Sequence, residues 1–215
     1  MDDSPHSYWA TWHDGYYDPE SDLLQRLIAV QRHLTAAIDQ APPGAVRLIS
    51  ACAGQGHDVI SVMSSHPRAS DLSALLVESD DHNVRVARDR IAAAGITGVD
   101  VLHSDAGVTG AYRDAVPTDL LMLCGIFGNV SDEDVHRTVN NASRLCAPRA
   151  TVLWTRHRRH PHRTPGIRGL FAKAGYEELA FDSPGPDRFA VGMLRLAVPP
   201  LPYQSDLRLF TFWEK

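Results

Sequence analysis

Residues 47–58, R-L-I-S-A-C-A-G-Q-G-H-D, decide the fold, because an apolar run breaks there into glycines and a helical pattern follows. Leu48 and Ile49 suit a strand buried on both faces, and Gly54 and Gly56 permit a tight turn that opens a helix. A strand, a glycine turn and a helix in that order is where open α/β sheets bind adenosine-containing cofactors. The triplet Gly54-Gln55-Gly56 is short, so the residues downstream have to discriminate between cofactors.

Outward from this turn, apolar runs at 46–50, 73–78, 99–103, 119–124 and 150–155 alternate with helix-length segments. That alternation implies a parallel sheet with right-handed crossovers, a Rossmann-like, doubly wound three-layer α/β sandwich. Ser131 with Asp134 three residues on reads as a helix cap, followed by Val135, Val139, Ala142 and Leu145 on one face. Upstream, Asp18-Pro19 reads as a cap with a first-turn proline, and Leu23, Leu27, Leu34 and Ile38 continue at helical spacing up to Pro42-Pro43-Gly44. Past the fifth run, a helix over about 165–174 precedes Y-E-E-L-A-F and F-A-V-G-M-L-R-L, close enough to pair as an antiparallel hairpin. The tail L-R-L-F-T-F-W reads as one more strand-like piece. We divide the chain into an aromatic arm and helix (1–43), with the arm as a lid candidate, and a cofactor-binding domain (44–215).

The 215 residues suit one α/β domain with a small appendage. A hydrophobic share of 44% against 22% charged residues argues against disorder and coiled coil, and a net charge of -5 gives no general attraction to nucleic acid or anionic membrane. Cys52, Cys124 and Cys146 are an odd number in apolar surroundings, which reads as reduced thiols and a cytoplasmic protein. No run approaches the roughly 18 apolar residues that span a bilayer. The oligomeric state is open, a homodimer included.

Glu78 ends the second strand 22 residues after Gly56, where a carboxylate can accept the ribose hydroxyls of an adenosine. A dinucleotide and S-adenosylmethionine both meet that requirement. Val59 stands where a dinucleotide fingerprint wants glycine or alanine, and Asp58 puts a negative charge where a diphosphate would sit; both disfavour NAD or FAD. S-adenosylmethionine carries a sulfonium and an amino group, so a carboxylate near the helix start is compatible. Asp105 could accept from the adenine amino group while Ala106 leaves room for the ring. The fourth strand ends in Cys124-Gly125-Ile126-Phe127-Gly128-Asn129, where glycine allows close approach and Asn129 offers a donor and an acceptor.

With these parts the chain resembles the class I S-adenosylmethionine-dependent methyltransferases over roughly residues 45–196. That family's first motif reads D/E-x-G-x-G-x-G, an acid ends the second strand, an aspartate follows the third, and a reversed hairpin closes the sheet. The counterparts here are S-x-C-x-G-x-G at 50–56, Glu78, Asp105 and the strands near 176–196. W-H-D-G-Y-Y-D-P and L-C-G-I-F-G-N-V add a likeness to a bacterial group of this superfamily that brings no substrate with it. Ser50 stands where the family's acid does, and Cys52 where its first glycine does.

The resemblance implies S-adenosylmethionine as cofactor and S-adenosylhomocysteine as product, with Ser50, Cys52, Ala53, Gly54, Gly56, Asp58, Glu78, Ser79, Asp105, Ala106, Cys124 and Gly125 around it. The expected reaction is methyl transfer to oxygen or nitrogen of a small molecule. His13 is the candidate proton acceptor and Asn129 a second catalytic candidate; Trp12, Tyr17, Phe127 and Arg156 are substrate-side candidates. Arg156 opens the basic run T-R-H-R-R-H-P-H-R (155–163), which suits an anionic substrate. No metal is expected, because guanidiniums flank His157, His160 and His162. The alternatives are a methyltransferase-like binding module without activity, an NAD(P)-dependent oxidoreductase and an RNA methyltransferase.

Overall fold

A computed structural model describes residues 13–213. Seven strands, β1 (Val46–Ala51), β2 (Leu72–Glu78), β3 (Val99–His103), β4 (Thr118–Leu123), β5 (Cys146–His157), β6 (Tyr176–Asp182) and β7 (Phe189–Leu196), form one sheet. Their order is β3-β2-β1-β4-β5-β7-β6, with the first five parallel and β7 antiparallel to both β5 and β6. The expected sandwich with a C-terminal hairpin is therefore present, and its second strand is the one inserted beside β5. Apolar side chains on both faces of β1, β2, β4 and β5 make two cores, so helices must cover each face.

One face is covered by α1 (Asp22–Gln40), α2 (His57–Met63) and α3 (Asp81–Ala94), the other by α4 (Asp132–Asn141) and α5 (Thr164–Lys173). α1 starts three residues later than Asp18-Pro19 suggests: Ser21 Oγ accepts from Leu24 N at 3.1 Å and caps it, while Asp18 accepts from Glu20 N. At the other end the Arg68 guanidinium donates to the carbonyls of Ile38, Ala41 and Pro42 at 2.7, 2.8 and 2.8 Å, answering orphan helix acceptors. Leu34 and Ile38 of α1 pack in the same core as Leu48 and Leu76, so this helix is built into the domain. The cap expected on α4 is present, with Ser131 Oγ accepting from Asp134 N at 3.0 Å.

The tail is the main departure. It joins no strand of the sheet and runs across the loops that follow β3 and β4: Leu209 N donates to Gly107 O at 2.7 Å and Trp213 N to Asn129 O at 3.0 Å. Pro199, Pro200 and Pro202 lead into it and lack the N–H groups a ladder needs. Leu209 and Phe210 are buried, so alternating apolar residues were a true signal of burial but not of strand pairing. No helix among the described residues is long and apolar enough to cross a membrane.

Candidate functional site

From β1 the chain moves outward to β2 and β3, and from β4 it moves the other way to β5, so the carboxyl ends of the adjacent strands β1 and β4 diverge. Such a switch point leaves a crevice. A cleft of about 650 Å³ opens there.

After Ala51 three alternate residues adopt left-handed backbone: Cys52 at φ 54°, Gly54 at 56° and Gly56 at 68°. Ala53 N donates to Val77 O and Gly56 N to Ala53 O, each at 3.0 Å, which fixes the loop to β2. A Cβ at Gly56 would stand 2.6 Å from Ile60 Cδ1, so only glycine fits beneath the helix. Cys52 is the exception, since a side chain in this conformation costs about 1–2 kcal/mol. Burial, then the charges of Glu78 and Asp105, push its thiol well up, which keeps it protonated and a poor nucleophile.

Glu78 closes the site from β2. Its Oε2 accepts from Gly54 N at 2.8 Å, and its Oε1 from Ser79 N at 2.9 Å and Asp80 N at 2.8 Å. Burial raises its pKa while these three donors lower it. With four lone-pair positions and three backbone donors, the carboxylate keeps one position on Oε2 for a ligand hydroxyl.

Asp58, at the start of α2, accepts from Val59 N at 2.8 Å, and burial raises its pKa against the opposing influence of Arg26. Arg26, from α1, also hydrogen-bonds the Tyr16 side chain; burial is the main cause that pushes the Tyr16 phenol up to about 12. A carboxylate and a guanidinium side by side suit the ammonium and carboxylate of an amino acid. Asp105 is already engaged: Oδ1 accepts from Gly107 N at 2.7 Å and Oδ2 pairs with Arg208 of the tail. Ala106 is buried beside it, and Phe210 lines the same cleft.

Across the cleft, Gly125 N donates to Thr155 Oγ1 at 2.9 Å and Asn129 Nδ2 to Gly125 O at 2.7 Å, so the Asn129 amide shapes the loop after β4. Burial raises the Cys124 thiol too. Arg156, at the end of β5, is buried, and desolvation lowers its pKa.

The cleft thus gathers Cys52, Ala53, Gly54, Asp58, Glu78, Ser79, Asp105, Ala106, Cys124, Gly125, Asn129 and Arg156. Four others do not line it. Ser50 is 2% exposed within β1, between Leu76 and Met122; Gly56 lies beneath the helix start. Phe127 is fully buried against Trp154 and Phe171, and Tyr17 is 72% exposed with its edge on His57. Trp12 lies outside the described residues, as does the side chain of His13. Tyr16, part of the aromatic arm, lines the cleft, and sequence reasoning missed Arg26, Phe210 and Phe212, which line it too. Arg26 had a signal: it is a cation on a helix that precedes the glycine turn. Among the described residues no group of histidines, cysteines and carboxylates could hold a metal.

S-adenosylmethionine fits these residues on three counts: the open Oε2 position of Glu78, the small Ala106 and apolar Phe210 that line the same cleft, and the Asp58 and Arg26 charges. No protein-family model and no curated protein matches the sequence. Solved structures do. An O-methyltransferase family protein from Burkholderia thailandensis is 15% identical with a TM-score of 0.61, over 87% of this chain; the chain spans 63% of that protein's length. Magnesium protoporphyrin IX methyltransferase from Synechocystis PCC 6803, solved with bound S-adenosylmethionine, is 12% identical over 86% of this chain and 88% of its own, at a TM-score of 0.63. The [4+2]-cyclase SpnF is 14% identical over 81% of each chain, at 0.58. The chain has the fold of the class I S-adenosylmethionine-dependent methyltransferases.

Proposed function

We propose that the protein transfers a methyl group from S-adenosylmethionine to oxygen or nitrogen of a small molecule. The observation that carries this reading is the meeting of the left-handed turn 52–56 with the Glu78 carboxylate at the switch point of the sheet. It is supported by the Synechocystis neighbours, which hold S-adenosylmethionine and S-adenosylhomocysteine. Bound S-adenosylmethionine would supply an electrophilic methyl group. The residues of this chain hold and orient: Glu78 takes a ribose hydroxyl, Asp58 the amino group, and Arg26 the carboxylate. The turn after β4, pinned by Thr155 and Asn129, bounds the acceptor side and helps exclude water. His13 is the candidate to take the acceptor's proton. A small acceptor agrees with the net charge of -5, which opposes nucleic acid.

The test is a melting experiment with S-adenosylhomocysteine and, separately, NADH. At a hundredfold excess over Kd a ligand stabilises by about 2.7 kcal/mol, which for a chain of this size is a rise of about 5–10 °C. We expect that rise with S-adenosylhomocysteine alone. No rise, or a rise with NADH instead, overturns the reading. A second reading, a module that binds without methyl transfer, is favoured by Ser50 and by the strained Cys52; bound product with no turnover over a broad acceptor panel would support it.

A further inference from the structure

The Arg156 guanidinium has no ion-pair or hydrogen-bond partner among the described residues. Arg156 is 8% exposed, and its Nε is shut off from solvent without a partner. Asp132 beside it and the acids of the cleft each have another partner. Asp132 binds Arg163 at 2.8 Å, Asp22 binds Arg188 at 2.5 Å, Asp105 binds Arg208, Asp58 faces Arg26, and Glu78 accepts three backbone N–H groups. Desolvation is the main cause that lowers its pKa, and the charge of Asp132, itself paired with Arg163, opposes that only in part. The hollow on its other side, about 120 Å³, contains the closed Asp132 and Arg163 pair.

The cleft is also polarised along its length. Glu78 ends β2, Asp105 follows β3 and Asp58 opens the helix after β1, with Arg26 beside it, while Arg156 and His157 end β5 and Arg159 and His160 follow. The acidic end matches a cofactor with a net positive charge, and the basic end matches an anion.

We propose that the methyl acceptor carries a carboxylate and that Arg156 holds it, placing the nucleophilic atom toward the turn at 52–56. The proposal rests on the methyl-transfer reading of the same cleft. A carboxylate brings one charge and two coplanar oxygens, which a planar guanidinium binds through paired N–H groups.

The test is ligand-observed NMR on the protein saturated with S-adenosylhomocysteine, using aromatic and aliphatic carboxylic acids paired with their carboxamides. In wild type the acids bind about tenfold or more tightly than their amides, the worth of one charge-assisted bond. Arg156→Met abolishes that preference and Arg156→Lys retains part of it. Equal binding of acids and amides in wild type overturns the proposal, as does a preference that survives in Arg156→Met. If Arg156→Met fails to fold, Arg156→Gln gives the same comparison with the same expected loss. Binding of S-adenosylhomocysteine is measured beforehand. Its failure defeats the methyl-transfer reading, and an acid preference in its absence leaves an anion site of another use.

Discussion

Substitution at Cys52 separates backbone strain from side-chain packing in the turn. The residue sits at φ 54° with its side chain partly buried against the core. Cys52→Ala keeps the strained Cβ and loses the sulfur's contacts, a destabilisation of about 1 kcal/mol. Cys52→Gly loses the same contacts but relieves about 1–2 kcal/mol of left-handed strain, less about 0.5–1 kcal/mol for the freer unfolded chain. Its net change is therefore within about 1 kcal/mol of zero. Cys52→Val adds β-branching at a positive φ and should fall about 2 kcal/mol or more below wild type. Urea denaturation midpoints at a common slope read this series directly. The expected order of stability is glycine, alanine, valine. Valine equal to or above glycine would refute the left-handed assignment, and with it the physical reason why this position of the motif takes glycine elsewhere.

Gly192→Ala in β7 should be severely destabilising, by about 3 kcal/mol or more, because the new Cβ would stand 2.2 Å from the indole nitrogen of the fully buried Trp154; an unchanged melting temperature would contradict the packing described. Arg68→Ala strips the end of α1 of its carbonyl partners and should lower stability by about 2–4 kcal/mol by urea titration, with Arg68→Lys recovering only part. Asp58 titrates above the usual carboxylate range in the folded chain, so between the unfolded and folded pKa values the folded state binds more protons than the unfolded one. Its contribution to stability is thus present at low pH and lost as pH rises through the folded pKa. Asp58→Asn should flatten that decline, raise the melting temperature of the ligand-free protein at neutral pH and weaken S-adenosylhomocysteine binding; a steeper decline in the variant would show the sign to be wrong.

The sheet was legible because strand and helix periods differ and each break carries a glycine, a cap or a proline. β1 to β5 and the β6–β7 hairpin fall where the apolar runs stand. The start of α1 was misplaced because Asp18 and Ser21 are both competent caps, and only the geometry at Leu24 chooses between them. The cleft residues that follow β1, β2 and β3 were readable since they sit at strand ends that the chain order dictates. Those on its other walls were less so. Phe127 and Tyr16 show why: the one next to the glycine of the β4 loop turns into the core, and the one beside the expected Tyr17 lines the cleft. Phe210 and Phe212 reach the cleft through contacts of the tail with loops about a hundred residues earlier, which no local pattern encodes.

The central claim is that the cleft binds an adenosine through Glu78. Titration calorimetry with S-adenosylhomocysteine on wild type and Glu78→Gln tests it most directly. The amide cannot accept from all three backbone donors and offers the ribose a neutral partner, so one charge-assisted bond of about 1.5–3 kcal/mol is lost. The account predicts one site per chain in wild type and a weakening of about tenfold or more in the variant. No binding by wild type, or equal affinity in the two proteins, would contradict it.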